Sequence, residues 1–335
     1  MVSFIDMHNK YGTIVTLCNV GASIYDIKTI DINNKIESIL YTPKNEADFP
    51  FDNSFFGKTI GRTGGRISNS KFTLNGKEYV IPSNDPNGLH GGKDTLSFKE
   101  FEYHKYETEL CYTVEFSYFS PDLESGYPGN FIIKVIYSLY KDVNKLIIKY
   151  DCIADSDTLC NLSNHAYFNL SGNAKRDIQK QELFINATKM EKITKLIPEK
   201  IVECSDIYSF KNMHKIGDTL MKKDIILNTN GYDFPYIFDE VGLDNYNVIL
   251  KDDESKRIMK IKTTYPVVVM YTCNYTGNVI MNNNKVMTPY YAVCLECMYH
   301  PNTINSDFLK EKKDILLKNK KYNETIELHF EVDYE

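Results

Sequence analysis

Several segments of the chain place titratable side chains among apolar or glycine residues, where they could transfer protons. His90 stands before two glycines, which let a ligand approach the backbone closely. His165 and Tyr167 alternate in an extended segment and therefore share one face. Asp233 lies among aromatic residues and Glu296 in an apolar run, although a carboxylate is almost never buried without a partner or a task. An imidazole and a carboxylate titrate about 2 units apart in water, so one can act as an acid while the other acts as a base.

Each of these residues also has an ordinary structural interpretation. His90 could cap a turn, Asp233 could bond neighbouring backbone amides, and Glu296 could face water from an edge strand. His165 could be a structural histidine, and Asn169 shares its face in the sequence pattern. No single residue decides between the two interpretations. The other histidines have no comparable context and are predicted to be structural: His8, His104, His214, His300 and His329.

Two further patterns do not carry the chemistry that they first suggest. Residues 57–66 are rich in glycine but match neither phosphate-binding pattern of nucleotide-binding proteins, and no helical pattern follows them. Cys294 and Cys297 form a lone C-x-x-C pair, and in a strand they point to opposite faces. Structural zinc needs four converging ligands. The sequence therefore predicts neither a metal nor a cofactor.

Short segments with a period of two dominate the chain and predict an all-β fold. Asn75-Gly76, between residues 71 and 81, is a strong hairpin signal. Residues 131–140 and 146–153 predict a second hairpin, and residues 267–273 and 291–298 predict buried strands. Residues 201–215 are predicted to hold one short helix. No repeat, linker or composition break divides the chain, so residues 1–335 are predicted to form a single, mostly antiparallel domain.

Composition narrows the class of partner. The formal net charge is −6 and no basic run stands out, so nucleic acid is not an expected partner. Eight cysteines in 335 residues do not suggest a disulfide framework, and the N-terminus lacks a signal-peptide pattern. No stretch approaches the ~20 apolar residues of a membrane span. We therefore expect a cytoplasmic protein without a membrane partner.

Taken together and in this order, several blocks of the chain resemble the aldose 1-epimerase (galactose mutarotase) family. The resemblance extends from residue 53 to residue 305. The matching blocks are Asn53-Ser-Phe-Phe-Gly57, Gly61-Arg-Thr-Gly-Gly-Arg-Ile67, Phe72 to Tyr79, Asn84-Asp-Pro-Asn-Gly-Leu-His-Gly-Gly92, Leu162-Ser-Asn-His-Ala-Tyr-Phe-Asn-Leu-Ser-Gly172, Gly231-Tyr-Asp233 and Leu295-Glu-Cys-Met-Tyr-His-Pro-Asn-Thr-Ile-Asn305. This resemblance implies a large antiparallel β-sandwich of the galactose-mutarotase type, with a sugar bound in an open cleft of one sheet.

The resemblance also implies roles for individual residues in the interconversion of sugar anomers. Glu296 stands in the place of the general base and His165 in that of the general acid, and His90 assists at the ring oxygen. A nearby carboxylate is expected to raise the protonated fraction of His165. The residues implied to bind the sugar are Arg66, Gly65, Asp233 and Tyr167.

Four positions depart from residues that are frequent in that family. Gly65 stands where asparagine is common, Val269 and Met298 where glutamine is common, and Phe234 where histidine is common. A lost hydrogen bond to a sugar hydroxyl weakens binding by roughly 0.5–3 kcal/mol, so these positions bear on which hexose fits. They leave the proton-transfer residues in place.

Three functions stay open at this point. The first is a mutarotase that acts, as a monomer, on a free aldose such as glucose or galactose. The second is a hexose-6-phosphate 1-epimerase, which needs a cationic cluster for the phosphate; Arg62 and Arg66 are the nearby arginines. The third is a sugar-binding or regulatory protein that has kept the fold without useful turnover. Loops within residues 189–219 are expected to shape the cleft.

Overall fold

Short β-strands make up most of the structure, as the period-two pattern requires. The computed structural model describes residues 1–83 and 85–334, so Asn84, in one of the blocks above, lies outside the described residues. The strands up to residue 160 are β1 (Phe4–His8), β2 (Ile14–Cys18), β3 (Ser23–Ile30), β4 (Ile36–Ser38), β5 (Thr59–Ile60), β6 (Lys71–Leu74), β7 (Lys77–Val80), β8 (Glu102–Glu107), β9 (Cys111–Ser120), β10 (Phe131–Tyr140), β11 (Lys145–Ala154) and β12 (Thr158–Leu159).

The rest of the chain continues the pattern, with only brief helices. Its strands are β13 (Ser163–Asn164), β14 (Tyr167–Phe168), β15 (Glu182–Ile185), β16 (Lys189–Thr194), β17 (Ile197–Glu203), β18 (His214–Lys215), β19 (Asp233–Ile237), β20 (Val248–Lys251), β21 (Arg257–Thr263), β22 (Val267–Tyr271), β23 (Val293–Met298), β24 (Ile315–Leu316) and β25 (Lys321–Val332). The α-helices are α1 (Gly217–Leu220) and α2 (Lys223–Thr229), and the 3₁₀ turns are Ser68–Ser70, Leu96–Phe98, Glu124–Gly126 and Thr303–Asn305. No helix among the described residues is long and apolar enough to cross a membrane.

Two large antiparallel sheets share one hydrophobic core. The first has nine strands in the order β18-β15-β20-β21-β25-β11-β10-β9-β8, and the second has six in the order β14-β23-β22-β19-β16-β17. Val135 of the nine-stranded sheet and Met270 and Leu295 of the six-stranded sheet belong to the same buried cluster. Val269 and Glu296 alternate with these core residues and therefore project from the other face of the six-stranded sheet. That outer face carries the candidate site.

The structure confirms the predicted all-β sandwich and both predicted hairpins. β6 pairs with β7 around Asn75 and Gly76, whose φ angles of 51° and 77° are the positive values that a type I′ turn requires. β10 pairs with β11 along nine residue pairs. That residues 1–335 form a single domain stays a prediction.

The predicted helix in residues 201–215 is wrong. Ile201 and Val202 pair with Glu191 and Met190 in the β16–β17 hairpin. Beyond it, Ile207 packs against the core from irregular chain, so tertiary packing produced the apolar spacing that suggested a helix. The helices of this region begin only at residues 217 and 223. The buried strands predicted at 267–273 and 291–298 are present but shorter, at 267–271 and 293–298.

Candidate active site

A cleft beside the six-stranded sheet gathers the residues that the sequence singled out. Its volume is about 280 Å³, near the lower end of the roughly 300–1,000 Å³ of small-molecule sites. The cleft therefore suits one small ligand. The predicted site residues that line it are Gly65, Arg66, His90, His165, Tyr167, Asp233 and Glu296.

His90 enters the cleft from a tight turn. His90, Gly91 and Gly92 all have positive φ angles, of 49°, 91° and 87°. The amide of Gly65 donates a hydrogen bond to His90 Nδ1 at 3.1 Å. Burial lowers the pKa of His90 well below its ordinary value, and His165 and Arg66 lower it further. The ring is therefore neutral with its hydrogen on Nε2, and it can donate a hydrogen bond from that atom.

His165 and Glu296 meet in the cleft. The backbone of His165, between β13 and β14, is fixed by hydrogen bonds of 2.9 Å to the carbonyl of Lys58 and from the amide of Gly57. Glu296 lies within β23, where it pairs with Val269. His165 Nε2 is 3.4 Å from Glu296 Oε1, and both side chains are buried. Regular sheet geometry on one side and backbone hydrogen bonds on the other hold the two groups together.

Burial decides how this pair holds protons. It raises the pKa of the Glu296 carboxyl well above its usual range, and the neighbouring Asp233 raises it further. Burial also lowers the pKa of His165 to about 4. The expectation that a carboxylate raises the protonated fraction of His165 is therefore wrong for this structure, because burial disfavours the charged form of both groups. The lowered pKa leaves His165 uncharged at neutral pH, and the raised pKa of Glu296 favours the neutral carboxyl form.

The second oxygen of Glu296 is available to a ligand. Glu296 Oε2 is buried and has no hydrogen-bond partner among the described residues. A buried polar atom left without a partner costs about 1–3 kcal/mol, and native proteins contain few of them. A hydroxyl group that entered the cleft would satisfy this atom.

Arg66 and Asp233 form a second polar group in the cleft. Arg66 Nη1 lies 3.9 Å from Asp233 Oδ2, and Arg66 Nε lies 3.5 Å from Asp85 Oδ1. These contacts are close enough for ion pairing, but Arg66 Nε makes no hydrogen bond within the described part of the chain. Burial raises the pKa of Asp233 while Arg66 lowers it. The guanidinium group thus keeps donors free beside a carboxylate, an arrangement that suits sugar hydroxyls.

Sequence reasoning missed the apolar residues that complete the cleft. Phe55 packs its ring against His90 in an edge contact of 5.0 Å and lies 6.2 Å from the ring of His165. Its presence in the Asn53–Gly57 block was the available signal. On the opposite wall, residues 189–203 form the β16–β17 hairpin where loops were expected. Ile193 and Leu196 from this hairpin line the cleft.

The four positions that depart from the family pattern lie in different parts of the structure. Val269 lines the cleft next to Glu296, so the absence of a hydrogen-bonding group there does concern ligand binding. Phe234 packs in the main core and Met298 in a small buried cluster, and neither lines the cleft. Gly65 lines the cleft, and its amide is already bonded to His90.

Two residues that the sequence analysis named beside the candidate site residues, Arg62 and Asn169, have structural roles instead. The guanidinium group of Arg62 is buried, where it donates to Ser120 Oγ at 2.8 Å and to the carbonyl of Pro128 at 3.0 Å. Asn169 is also buried, and its amide nitrogen donates to the carbonyl of Tyr291 at 2.7 Å. Neither lines the cleft, so Arg62 is not available beside Arg66 for the cationic cluster that a phosphate group would need.

The cluster could also hold a metal ion. His90, His165 and Glu296 each offer one donor atom, and these atoms lie within 4.8 Å of one another. Two histidines and one carboxylate are a ligand set known from metal centres. The geometry thus allows both proton transfer and metal binding, which an experiment must separate.

Gly91→Ala is expected to destabilise the protein by about 2 kcal/mol or more. A Cβ at Gly91 would lie 2.1 Å from the carbonyl oxygen of Gly61, and the φ angle of 91° disfavours any side chain. Gly76→Ala is the matched control, since its φ angle of 77° is also positive but a Cβ there meets no atom within 4 Å. Urea unfolding of both variants measures the difference. Equal losses of stability would show that the close packing of the His90 turn contributes nothing.

Comparison with known proteins shows the family of the chain. The family model described as aldose 1-epimerase matches residues 3–329. Galactose mutarotase from Rattus norvegicus is 29% identical over 325 residues, which cover 95% of this chain and 91% of the relative. Galactose mutarotase from Homo sapiens is 32% identical over 257 residues, 75% of this chain and 72% of the relative. A solved aldose epimerase homologue from C. elegans superimposes with a TM-score of 0.88 at 25% identity, covering 99% of both chains. The chain belongs to the aldose 1-epimerase family.

Proposed function

We propose that the protein is an aldose 1-epimerase that interconverts the α and β anomers of a free hexose. The observation that carries the proposal is the His165–Glu296 pair, with 3.4 Å between Nε2 and Oε1 and an unpartnered carboxylate oxygen beside it. In this proposal the pair shares one proton. Ring opening requires one proton to be removed from the sugar and one to be delivered to it, which such a pair can do in one step.

The reaction follows from the positions of these groups. A sugar hydroxyl that donates to Glu296 stabilises the carboxylate and lowers its pKa, so that the shared proton passes to His165. Glu296 then takes the proton of the anomeric hydroxyl, C1 becomes a carbonyl carbon, and the C1–O5 bond breaks. His165 gives its proton to O5. Rotation about C1–C2 and the reverse transfers close the ring on the other face, so atoms and charge balance without any oxidant.

The other predicted site residues position the sugar in this proposal. His90 donates from Nε2 to the ring oxygen, and Arg66 and Asp233 bind hydroxyls at the other polar group. The hydroxyl of Tyr167 donates to the carbonyl of Ser54 at 2.8 Å, so the ring of Tyr167 is fixed at the side of the cleft. Gly65 acts through its amide, which holds His90.

Free galactose or glucose is the proposed substrate. The relatives named above are galactose mutarotases. Among the described residues that line the cleft, Arg66 is the one arginine or lysine, and Asp233 already lies beside it. A phosphate group would need further cationic donors. This argues against a hexose-6-phosphate as the substrate, because Arg62 is buried elsewhere.

Polarimetry of freshly dissolved α-galactose, α-glucose and α-glucose-6-phosphate tests the proposal. Faster decay of the optical rotation with one of the free hexoses, and a clearly smaller effect with the phosphate, is the expected result. No acceleration with any of these sugars by folded protein would overturn the proposal and leave a sugar-binding protein without turnover.

Removal of metal ions is expected to leave the rate of anomer exchange unchanged within about twofold. The reason is that an acid and a base suffice for the reaction. In the proposed mechanism His90, His165 and Glu296 all act directly on the sugar, so none of them is left to bind a metal ion. The measurement is polarimetry after dialysis against EDTA, with a sample resupplied with Zn²⁺ as the control. Loss of activity on dialysis and its return with zinc would assign His90, His165 and Glu296 to a metal centre.

We further propose that the protein acts as a cytoplasmic monomer with a single domain, on free sugars and without a nucleic-acid or membrane partner. The eight cysteines are free, which fits a reducing compartment. The net charge of −6 disfavours binding to phosphate backbones. Light scattering of the purified protein tests the monomeric state.

A further inference from the structure

We infer that Cys294 is a positioning residue for His165, an inference that rests on the proposed function. Cys294 Sγ lies 3.6 Å from His165 Nδ1, within hydrogen-bond distance for sulfur. Cys294 and Glu296 are two residues apart on β23, so their side chains share a face of the sheet. One strand thus contacts both nitrogens of the imidazole, Nδ1 through a thiol and Nε2 through a carboxyl group.

A thiol suits a ring that changes its protonation state. Burial raises the pKa of Cys294 well above its usual range, so the group stays an uncharged S–H. A thiol can donate a weak hydrogen bond to bare Nδ1 and can accept one from Nδ1–H. The contact therefore persists whether His165 is neutral or protonated. An ionised carboxylate in the same place would instead hold the proton on His165 and oppose its transfer to the sugar.

Several aromatic rings also pack around the imidazole, through ring contacts with His90, Tyr167, Tyr271 and Phe55. The rings of Tyr167 and Phe55 lie 5.1 and 6.2 Å from the imidazole, where they restrict its tilt. The backbone carbonyl of His165 raises the pKa of the ring, but a carbonyl only accepts hydrogen bonds. The thiol of Cys294 can hydrogen-bond Nδ1 in both the neutral and the protonated state of the ring. Catalytic bases are generally oriented by such a third group.

Cys294→Ala is expected to lower kcat about tenfold, the effect of losing one hydrogen bond, with KM unchanged within about twofold. Cys294→Ser should retain most of the activity, because a hydroxyl also donates and accepts. The matched control is Cys297→Ala, since Cys297 is equally buried on the same strand but belongs to the core on its other face. Cys297→Ala should lose stability, as Cys294→Ala does, without the loss of kcat.

Nitrogen-15 NMR of the His165 ring supplies a readout that a purely structural role would not change. We expect the Nδ1 shift and its pH titration to move in Cys294→Ala and to stay in place in Cys297→Ala. Equal kcat values and equal Nδ1 shifts in the two alanine variants would overturn the inference.

If wild type fails to accelerate exchange of any hexose, the proposed function fails, whereas the NMR comparison still decides whether Cys294 controls the ring. If Cys294→Ala does not fold, Cys294→Val carries the test, since valine removes the hydrogen-bonding group without leaving a cavity: a changed Nδ1 shift supports the inference, and an unchanged one overturns it.

Discussion

Glu296→Gln is expected to lower kcat for anomer exchange by about 10²–10⁴-fold, the contribution of a positioned acid–base group. A glutamine cannot take the proton of the anomeric hydroxyl. It nevertheless resembles the neutral carboxyl form, which burial favours at this position. The fold and the sugar-binding groups should therefore survive, and KM should change by much less than kcat. Polarimetry with the best free hexose measures the rates, and thermal unfolding verifies that the variant is folded.

The chain provides a matched control for this substitution in Glu191→Gln. Glu191 is also fully buried, burial raises its pKa, and its Oε1 lies 2.5 Å from the Nδ1 of a histidine, His300. Neither residue lines the cleft. Glu191→Gln should therefore retain nearly all of the wild-type kcat. If both glutamine variants lost activity equally, loss of a buried carboxyl would explain the result and the role of Glu296 as a base would be untenable.

The residues that the sequence singled out for a site line one cleft, and they share the property that they conflict with their surroundings. A glutamate in an apolar strand and a histidine before two glycines violate the local pattern, and such conflicts concentrate at functional sites. The predicted strand at residues 291–298 is present, and in it Leu295 faces the core while Glu296 lines the cleft. Residue types and spacing could thus mark these groups as candidates, whereas their roles as base and acid are implied by the resemblance to the family and remain a proposal.

What the sequence could not supply depends on tertiary packing. The pKa of His165 is lowered to about 4 because the surrounding sheets and loops exclude water, and no local pattern records that exclusion. Arg62 lies in the same glycine-rich segment as Arg66, but carbonyls from residues 120–129 surround its guanidinium group. The apolar wall formed by residues 193 and 196 comes from the β16–β17 hairpin, in a stretch where the sequence predicted loops. These features depend on contacts between segments that are far apart in the sequence.

His165→Asn is expected to reduce kcat to a similar extent, about 10²–10⁴-fold, because it removes the group that delivers a proton to the ring oxygen. The asparagine side chain has no atom at the position of Nε2, but its amide group can still reach the position of Nδ1 beside Cys294. His300→Asn is the matched control, since His300 has a buried glutamate partner but does not line the cleft. The control should keep the wild-type rate.

The pH dependence of kcat/KM distinguishes loss of this acid from a general disturbance of the cleft. The wild-type pair works only while it holds one proton. As pH falls through about 4, His165 becomes protonated while the carboxyl group of Glu296 is still protonated. The pair then holds two protons and contains no base, so activity should fall. As pH rises through the raised pKa of Glu296, the pair loses its single proton and no acid is left. In His165→Asn the acidic limb near pH 4 should vanish from the residual activity, whereas His300→Asn should retain both limbs. An acidic limb that survives in His165→Asn would assign that titration, and the proton delivered to the ring oxygen, to another group.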